Sequence, residues 1–149
     1  GAARGIFHGL ITAGFTQIDI ANRTRSTAEA IAELGNPNTN TSIMSLDDAE
    51  KRLHHYDLLI QTTNVGMKPH VNDMIMSLEQ LRANSIVSDI VYQPIETQIL
   101  HQAKQKGAAI LYGHTMLLYQ ALYAFELWTS KKVAAANLEQ PLKSVLEGR

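Results

Sequence analysis

Residues 86–112 read Ile86-Val87-Ser88-Asp89-Ile90-Val91-Tyr92-Gln93-Pro94-Ile95-Glu96-Thr97-Gln98-Ile99-Leu100-His101-Gln102-Ala103-Lys104-Gln105-Lys106-Gly107-Ala108-Ala109-Ile110-Leu111-Tyr112. The apolar run from Ile86 to Tyr92, closed by Pro94, predicts a strand. Thr97 to Lys106 predicts a helix that Gly107 terminates, because a glycine accepts the left-handed backbone that ends helices. Ala108 to Tyr112 predicts a second strand. A strand, a helix of about 10 residues and another strand form a βαβ unit, and βαβ units build parallel sheets.

The pattern extends outward in both directions. Upstream, Ala2 to Ala13 sets Ile6, Phe7, Leu10 and Ile11 on one helical face, and Gly14 follows as a terminator. Ile18 to Ala21 predicts a short strand ending in Asn22-Arg23-Thr24. Ser26 with Glu29 resembles a capping box, so a helix is expected from there to about Gly35. A polar loop, Asn36 to Thr41, leads to a short strand at Ile43-Met44 and a helix from Ser45 to Leu53 whose acidic start suits its dipole. Asp57 to Thr63 is the clearest strand. Downstream, Thr115 to Ser130 is apolar nearly all round, which predicts a buried helix. Asn137 to Glu147 predicts a last amphipathic helix. The expected class is α/β with a mostly parallel sheet, its continuously apolar strands covered by helices on both faces.

Composition narrows the function. The 149 residues are 45% hydrophobic and 18% charged, values that suit one globular domain rather than a disordered or fibrous chain. The net charge of -1, without a dense basic run, argues against nucleic acid or an anionic membrane as the main partner. With no cysteine, thiol catalysis, disulfides and Cys-based zinc sites are excluded, and a reducing, cytoplasmic setting fits. No apolar run approaches the roughly 18 to 20 residues of a membrane span. The start, Gly1-Ala2-Ala3-Arg4-Gly5, lacks an initiator Met and reads as a cut inside something longer.

In an open α/β sheet, ligands bind beyond the carboxyl ends of the strands. Those ends are Asn22-Arg23-Thr24, Gln61-Thr62-Thr63-Asn64, Tyr92-Gln93-Pro94 and Tyr112-Gly113, all polar or glycine-bearing. Gly1-Ala2-Ala3 opens a helix whose free N–H groups suit a phosphate; an ordinary helix start would look the same. About 20 residues after such a turn, NAD-binding folds place a carboxylate for the ribose hydroxyl. Here Arg23 stands near that point. A guanidinium grips a 2′-phosphate that a carboxylate would repel, so the residues favour NADP over NAD; a solvated surface Arg is the competing reading. Arg25 can join the same positive patch. Asp89 lies in an apolar strand and needs partners, which suggests a structural acceptor rather than a catalyst. Gln120 interrupts an apolar helix, and a buried amide there must be bonded to backbone or ligand. His54-His55 reads as solvated rather than metal-binding. No metal set, Ser-His-Asp order or carboxylate pair stands out.

Taken in order, these stretches resemble the shikimate dehydrogenase family. Gly1-Ala2-Ala3-Arg4-Gly5 resembles the tail of its glycine motif, which normally starts with Gly-Ala-Gly, and Asn22-Arg23-Thr24 matches its NADP-selecting motif. Thr62 to Met67 resembles its strand-end turn, and Asp89-Ile90-Val91-Tyr92-Gln93-Pro94 matches its Asp-Ile/Val-Val-Tyr-x-Pro run. Gly113, Met116-Leu117, Gln120 and Ala124 to Thr129 resemble its closing helix. The resemblance implies a Rossmann-like three-layer sandwich comprising residues 1–149, with the first strand of the fold and an N-terminal substrate domain lying outside the chain. The missing strand would pair at the centre and leave two neighbours with open edges. Either the parent chain is longer, or another segment fills that gap.

The same resemblance implies the site. Gly1, Ala2 and Ala3 would lie under the pyrophosphate, and Asn22, Arg23 and Thr24 would hold the 2′-phosphate. Thr63 and Val65 would border the cofactor, Gly113 would lie by the nicotinamide, and Tyr92 and Gln120 would reach the substrate. The reaction implied is hydride transfer between NADPH and 3-dehydroshikimate, a step toward chorismate and the aromatic amino acids. The family's catalytic Lys and Asp belong to the segment outside this chain, so these residues alone are expected to be inactive. A homodimer is compatible with the resemblance. Two rivals stand beside it: a dual-specificity quinate/shikimate enzyme, and a non-catalytic NADP-binding module. Two departures affect the site. His114-Thr115 replaces the usual Leu-Gly, where Thr115 is expected to crowd a turn. Thr27 stands where many members carry a basic residue, for which Arg25 can compensate.

Overall fold

A computed structural model describes residues 1–148. The chain divides into two compact units, one from Gly1 to His54 and one from His55 onward.

In the first unit, α1 (Ala2–Thr12) leads to β1 (Gln17–Ala21), α2 (Arg25–Ala32), β2 (Asn40–Met44) and α3 (Leu46–Lys51). β1 and β2 pair in parallel, Gln17 opposite Asn40 through Ala21 opposite Met44. α2 packs on both strands through Ala28 and Ile31, three positions apart on one face and both buried. Phe7 of α1 and Leu53 complete this core. Gly14 ends α1 with φ +90°, the left-handed backbone that the sequence predicted there.

Two details differ from expectation. The residue before α2 is Thr24 rather than Ser26, and Glu29 pairs with Arg25 instead of closing a capping box. The (i, i+4) charge pair offers Glu29 a partner within the helix itself. β2 begins at Asn40, inside the expected loop, because a strand already paired on one side can extend through polar residues.

The second unit holds β3 (Leu58–Gln61), β4 (Ile86–Asp89), α4 (Gln98–Gln105), β5 (Ala109–Leu111), α5 (Gly113–Thr129) and α6 (Glu139–Leu146). The three strands pair in parallel in the order β3-β4-β5. α4 lies on β4 and β5 and buries Ile99, Leu100 and Ala103 against Val87 and its neighbours. Each large apolar side chain removed from water in this seam contributes about 1.5 to 3 kcal/mol. The crossover from β3 to β4 is not a helix. It is an irregular segment, residues 62–85, that buries Met76, Leu78 and Leu81 and is tied to α4 where Gln102 Oε1 accepts the Leu78 N–H at 2.9 Å.

The two faces of this sheet are unequally covered among the described residues. Val87 and Asp89 face α4 and are buried, while on the opposite face Ile86 and Leu111 remain 41% and 53% exposed. The long helix also departs from its expected burial. α5 buries only Gly113, His114 and Leu118, and Leu127 and Trp128 remain 81% and 80% exposed. Gln120, expected to be a buried amide, is exposed. A nearly uniform apolar helix signals burial only where something covers it, and among the described residues α5 meets chiefly α6 and the turn before it. No helix among the described residues is long and apolar enough to cross a membrane.

Candidate functional site

The first unit gathers polar groups at the carboxyl ends of β1 and β2. Asn22 Oδ1 accepts the Thr24 N–H at 2.9 Å, closing a tight turn just past β1. Such an Asx turn leaves the side chain between its two anchors free to project outward. Arg23 is that residue; it is exposed and, among the described residues, has no ion-pair partner. Arg25, by contrast, is held by Glu29, with Nε 2.9 Å from Oε1. A shallow pocket is lined by Asn22, Arg23, Arg25, Ile43, Met44 and Ser45. No carboxylate lines it. Asp48, nearby in sequence, is engaged by Ser45, whose Oγ accepts the Asp48 N–H at 3.1 Å and donates to Asp48 Oδ2 at 2.7 Å. Two cationic side chains, an amide and a hydroxyl around an open pocket can hold a phosphate ester.

Gly1 precedes the first turn of α1, with Ala2 and Ala3 in that turn, and none of the three lines the pocket. A Cβ added at Gly1 would meet nothing within 4 Å.

The second unit builds its strand ends differently. Gln61, the last residue of β3, is buried; its Oε1 accepts the Thr63 N–H and its Nε2 donates to the Val65 carbonyl at 3.1 Å. Thr63 Oγ1 accepts the Val65 N–H at 3.2 Å. Thr63 and Val65 therefore belong to one internally bonded turn. Gly66 completes it with φ +85°; a Cβ there would lie 3.2 Å from the Asp73 carbonyl oxygen.

Asp89 ends β4 as the buried structural acceptor that its sequence setting suggested. Oδ1 accepts from the Val91 N–H at 2.9 Å and from Gln61 Nε2 at 3.2 Å, and Oδ2 accepts the Thr97 hydroxyl at 2.6 Å. Burial raises its pKa above the ordinary carboxylate value, and the bonds from Thr97, Val91 and Gln61 oppose that rise. Gly113, at the start of α5, presses on the same strand end: a Cβ there would stand 2.3 Å from the Val91 carbonyl oxygen and 2.6 Å from that of Ile90. Thr115 follows two residues later. It sits in the first turn of α5, its N–H bonded to the Tyr112 carbonyl at 3.2 Å, and Ser130 is the one described non-glycine residue with positive φ.

Tyr92 and Gln120 are both exposed, and no hydrogen bond joins them. Beside them in sequence, Glu96 accepts from Tyr112 Oη at 3.1 Å and contacts His101 Nδ1 at 3.0 Å and Lys104 Nζ at 3.4 Å. The His101 bond, assisted by Tyr112 and Lys104, lowers the Glu96 pKa against a smaller effect of burial. Burial, with Glu96 adding to it, raises that of Tyr112. Among the described residues no group of three His, Cys, Asp or Glu could hold a metal.

Sequence reasoning placed Gln61 among the polar strand ends without giving it a role, and did not single out Thr97, Met44 or Ser45. Gln61 left a signal, as the one amide closing an otherwise apolar strand. Met44 and Ser45 left none, since only the pairing of β2 beside β1 brings them to Arg23.

Residues 2–105 match the family described as Shikimate / quinate 5-dehydrogenase, and residues 113–140 match the Shikimate 5'-dehydrogenase C-terminal domain. The chain is 46% identical over all its 149 residues to the shikimate dehydrogenase (NADP(+)) of Oceanobacillus iheyensis, of which it covers 52%. Among solved structures, it resembles shikimate 5-dehydrogenase from Listeria monocytogenes, in complex with shikimate and NAD, at 29% identity and TM-score 0.84, covering 95% of this chain and 52% of that one. Shikimate 5-dehydrogenase from Thermus thermophilus, in complex with NADP(H) and shikimate, gives 27% identity and TM-score 0.79 over 93% of this chain and 49% of that one. The chain thus spans about half the length of the curated relatives it matches.

Proposed function

The chain belongs to the shikimate and quinate 5-dehydrogenase family, and from that premise we propose that it binds NADP as the cofactor half of an oxidoreductase interconverting 3-dehydroshikimate and shikimate. The observation that carries the cofactor choice is Arg23, an exposed guanidinium without an acidic partner in a pocket that no carboxylate lines. Such a group meets a doubly charged phosphate with paired, charge-assisted hydrogen bonds. The residues present fit NADP in this respect.

Asn22 orients the turn, Arg23 holds the 2′-phosphate, and Thr24 adds its hydroxyl. Arg25 is a second cation for that phosphate, steadied by Glu29, in a chain whose Thr27 supplies none. Gly1, Ala2 and Ala3 offer backbone N–H groups to the pyrophosphate. Thr63 and Val65 border the dinucleotide, Gly113 lies by its nicotinamide, and Tyr92 and Gln120 reach the substrate. When bound, the nicotinamide gives or accepts the hydride. The Lys and Asp that handle the proton would come from a segment outside these 149 residues, which leaves the isolated half a binder without turnover.

Calorimetric titration of the purified protein tests the reading. NADP+ is expected to bind at least about tenfold more tightly than NAD+, a difference of about 1.4 kcal/mol. Equal affinities, or no binding, would overturn it. Shikimate-dependent reduction of NADP+ then tests the substrate. In a protein that also carries the proton-handling segment, turnover supports shikimate, and binding without turnover favours a cofactor-binding module.

A further inference from the structure

Resting on that NADP-binding reading, we propose that Gln61 and Asp89 are positioning residues that hold the Thr63–Val65 turn in its cofactor-binding form. Gln61 closes both ends of the turn with one side chain. Oε1 takes the Thr63 N–H, and Nε2 gives its protons to the Val65 carbonyl at 3.1 Å and to Asp89 Oδ1 at 3.2 Å. An amide has only one orientation that satisfies this arrangement. Rotated by half a turn, it would set its oxygen against two acceptors and its NH2 against a donor.

Asp89 enforces that orientation. Oδ1, which receives the amide, is fixed by the Val91 N–H at 2.9 Å, and Oδ2 is fixed by the Thr97 hydroxyl at 2.6 Å. Thr97 is in turn 1% exposed, and its methyl carbon would meet a Cβ placed on Gly66 at 3.8 Å. The order therefore runs from Thr97 through Asp89 and Gln61 to the backbone of residues 63–65. Each member is buried, so each bond lost leaves a polar atom without water to replace it. Neither Gln61 nor Asp89 is exposed enough to touch a ligand directly, with 4% and 1% of its surface accessible. Their influence on binding must pass through the turn.

The prediction follows from the turn's indifference to the 2′-phosphate. Gln61→Met keeps volume and removes both hydrogen-bonding functions. It is expected to weaken NADP+ and NAD+ by the same factor, about tenfold, leaving their ratio at the wild-type value. Thermal melting establishes that the variant is folded at the titration temperature. Should Gln61→Met fail to fold, Gln61→Glu serves instead. It keeps an acceptor for Thr63 but sets a second carboxyl against Asp89 and the Val65 carbonyl. Two carboxyls in contact cannot both ionise cheaply. Affinity for both cofactors should therefore fall about tenfold at pH 8 and recover as the pH is lowered and one carboxyl takes up a proton. Wild-type affinity in the folded Met variant, or a Glu variant with the wild-type pH profile, overturns the proposal. So does a loss confined to NADP+. A wild-type protein that binds neither dinucleotide refutes the functional reading itself, a result separable from any behaviour of the variants.

Discussion

The turn after β1 and the turn after β3 occupy equivalent places in their strands, yet they are built on opposite principles. The first contains one internal side-chain bond, from the Thr24 N–H to Asn22, and holds an exposed guanidinium outward. The second spends its polar groups on itself: Gln61, Thr63 and Asp89 saturate one another and the backbone around them. The first turn can recognise a charge because its charge is unspent. The second can offer a shape because its donors and acceptors are already matched. Selectivity between dinucleotides should therefore reside in the first turn, and affinity common to both in the second.

The sharpest way to break this comparison is Arg23→Ala. Losing a charge-assisted pair costs about 1.5 to 3 kcal/mol, or about 10- to 100-fold in affinity. Titration should show that loss for NADP+ and almost none for NAD+. An equal loss for both would mean that the exposed turn also sets shape, and the division between the two turns would collapse.

The second turn's neighbourhood has its own point of failure at Gly113. A methyl group there meets the Val91 and Ile90 carbonyl oxygens at 2.3 and 2.6 Å, both backbone atoms that cannot rotate away. Gly113→Ala should destabilise the fold by about 1 to 3 kcal/mol, the usual range for forcing an extra methyl into a packed position. Denaturant unfolding measures it directly. An unchanged midpoint would show that β4 and α5 slide apart freely, and that the saturated network does not fix their spacing.

These two glycine and arginine positions show why parts of the molecule were legible in sequence. Ile86 to Tyr112 revealed strand, helix and strand because each apolar run and the terminating Gly107 are local signals. Asn22-Arg23-Thr24 stood out through charge and distance from the chain's glycine-bearing start, and Asn22 and Arg23 line one pocket. Asp89 was readable as a buried acceptor because a carboxylate in an apolar strand has few other options. The burial of α5 was misread, since the same apolar sequence serves a covered and an uncovered helix, and pattern alone does not say what packs against it. The Gln61–Asp89–Thr97 network was hidden for a different reason. Its members are 28 and 8 residues apart, and only the parallel register that sets Gln61 opposite Asp89 joins them.

The smallest effect lies at the edge of the second unit, where Glu96 bonds His101, Tyr112 and Lys104 in partial contact with water. This cluster separates saturation from burial, because its bonds resemble those of Asp89 while its carboxylate moves the opposite way in pKa. For Asp89, burial outweighs the hydrogen bonds and raises the value; for Glu96, the His101 bond outweighs burial and lowers it. A lowered folded value means that Glu96 contributes stability above the ordinary carboxylate range of 4.5, and that this contribution vanishes as the pH falls through the depressed value. His101→Ala removes the largest cause of that shift. Because the pair is partly solvated, the loss should stay below about 1 kcal/mol near pH 6. It should shrink toward zero as acid protonates Glu96 in both proteins. Melting curves of the two proteins across that range measure the difference. A gap that persists undiminished after Glu96 is protonated would mean that His101 stabilises the unit by packing instead, and that the contrast with the buried Asp89 is one of position rather than charge.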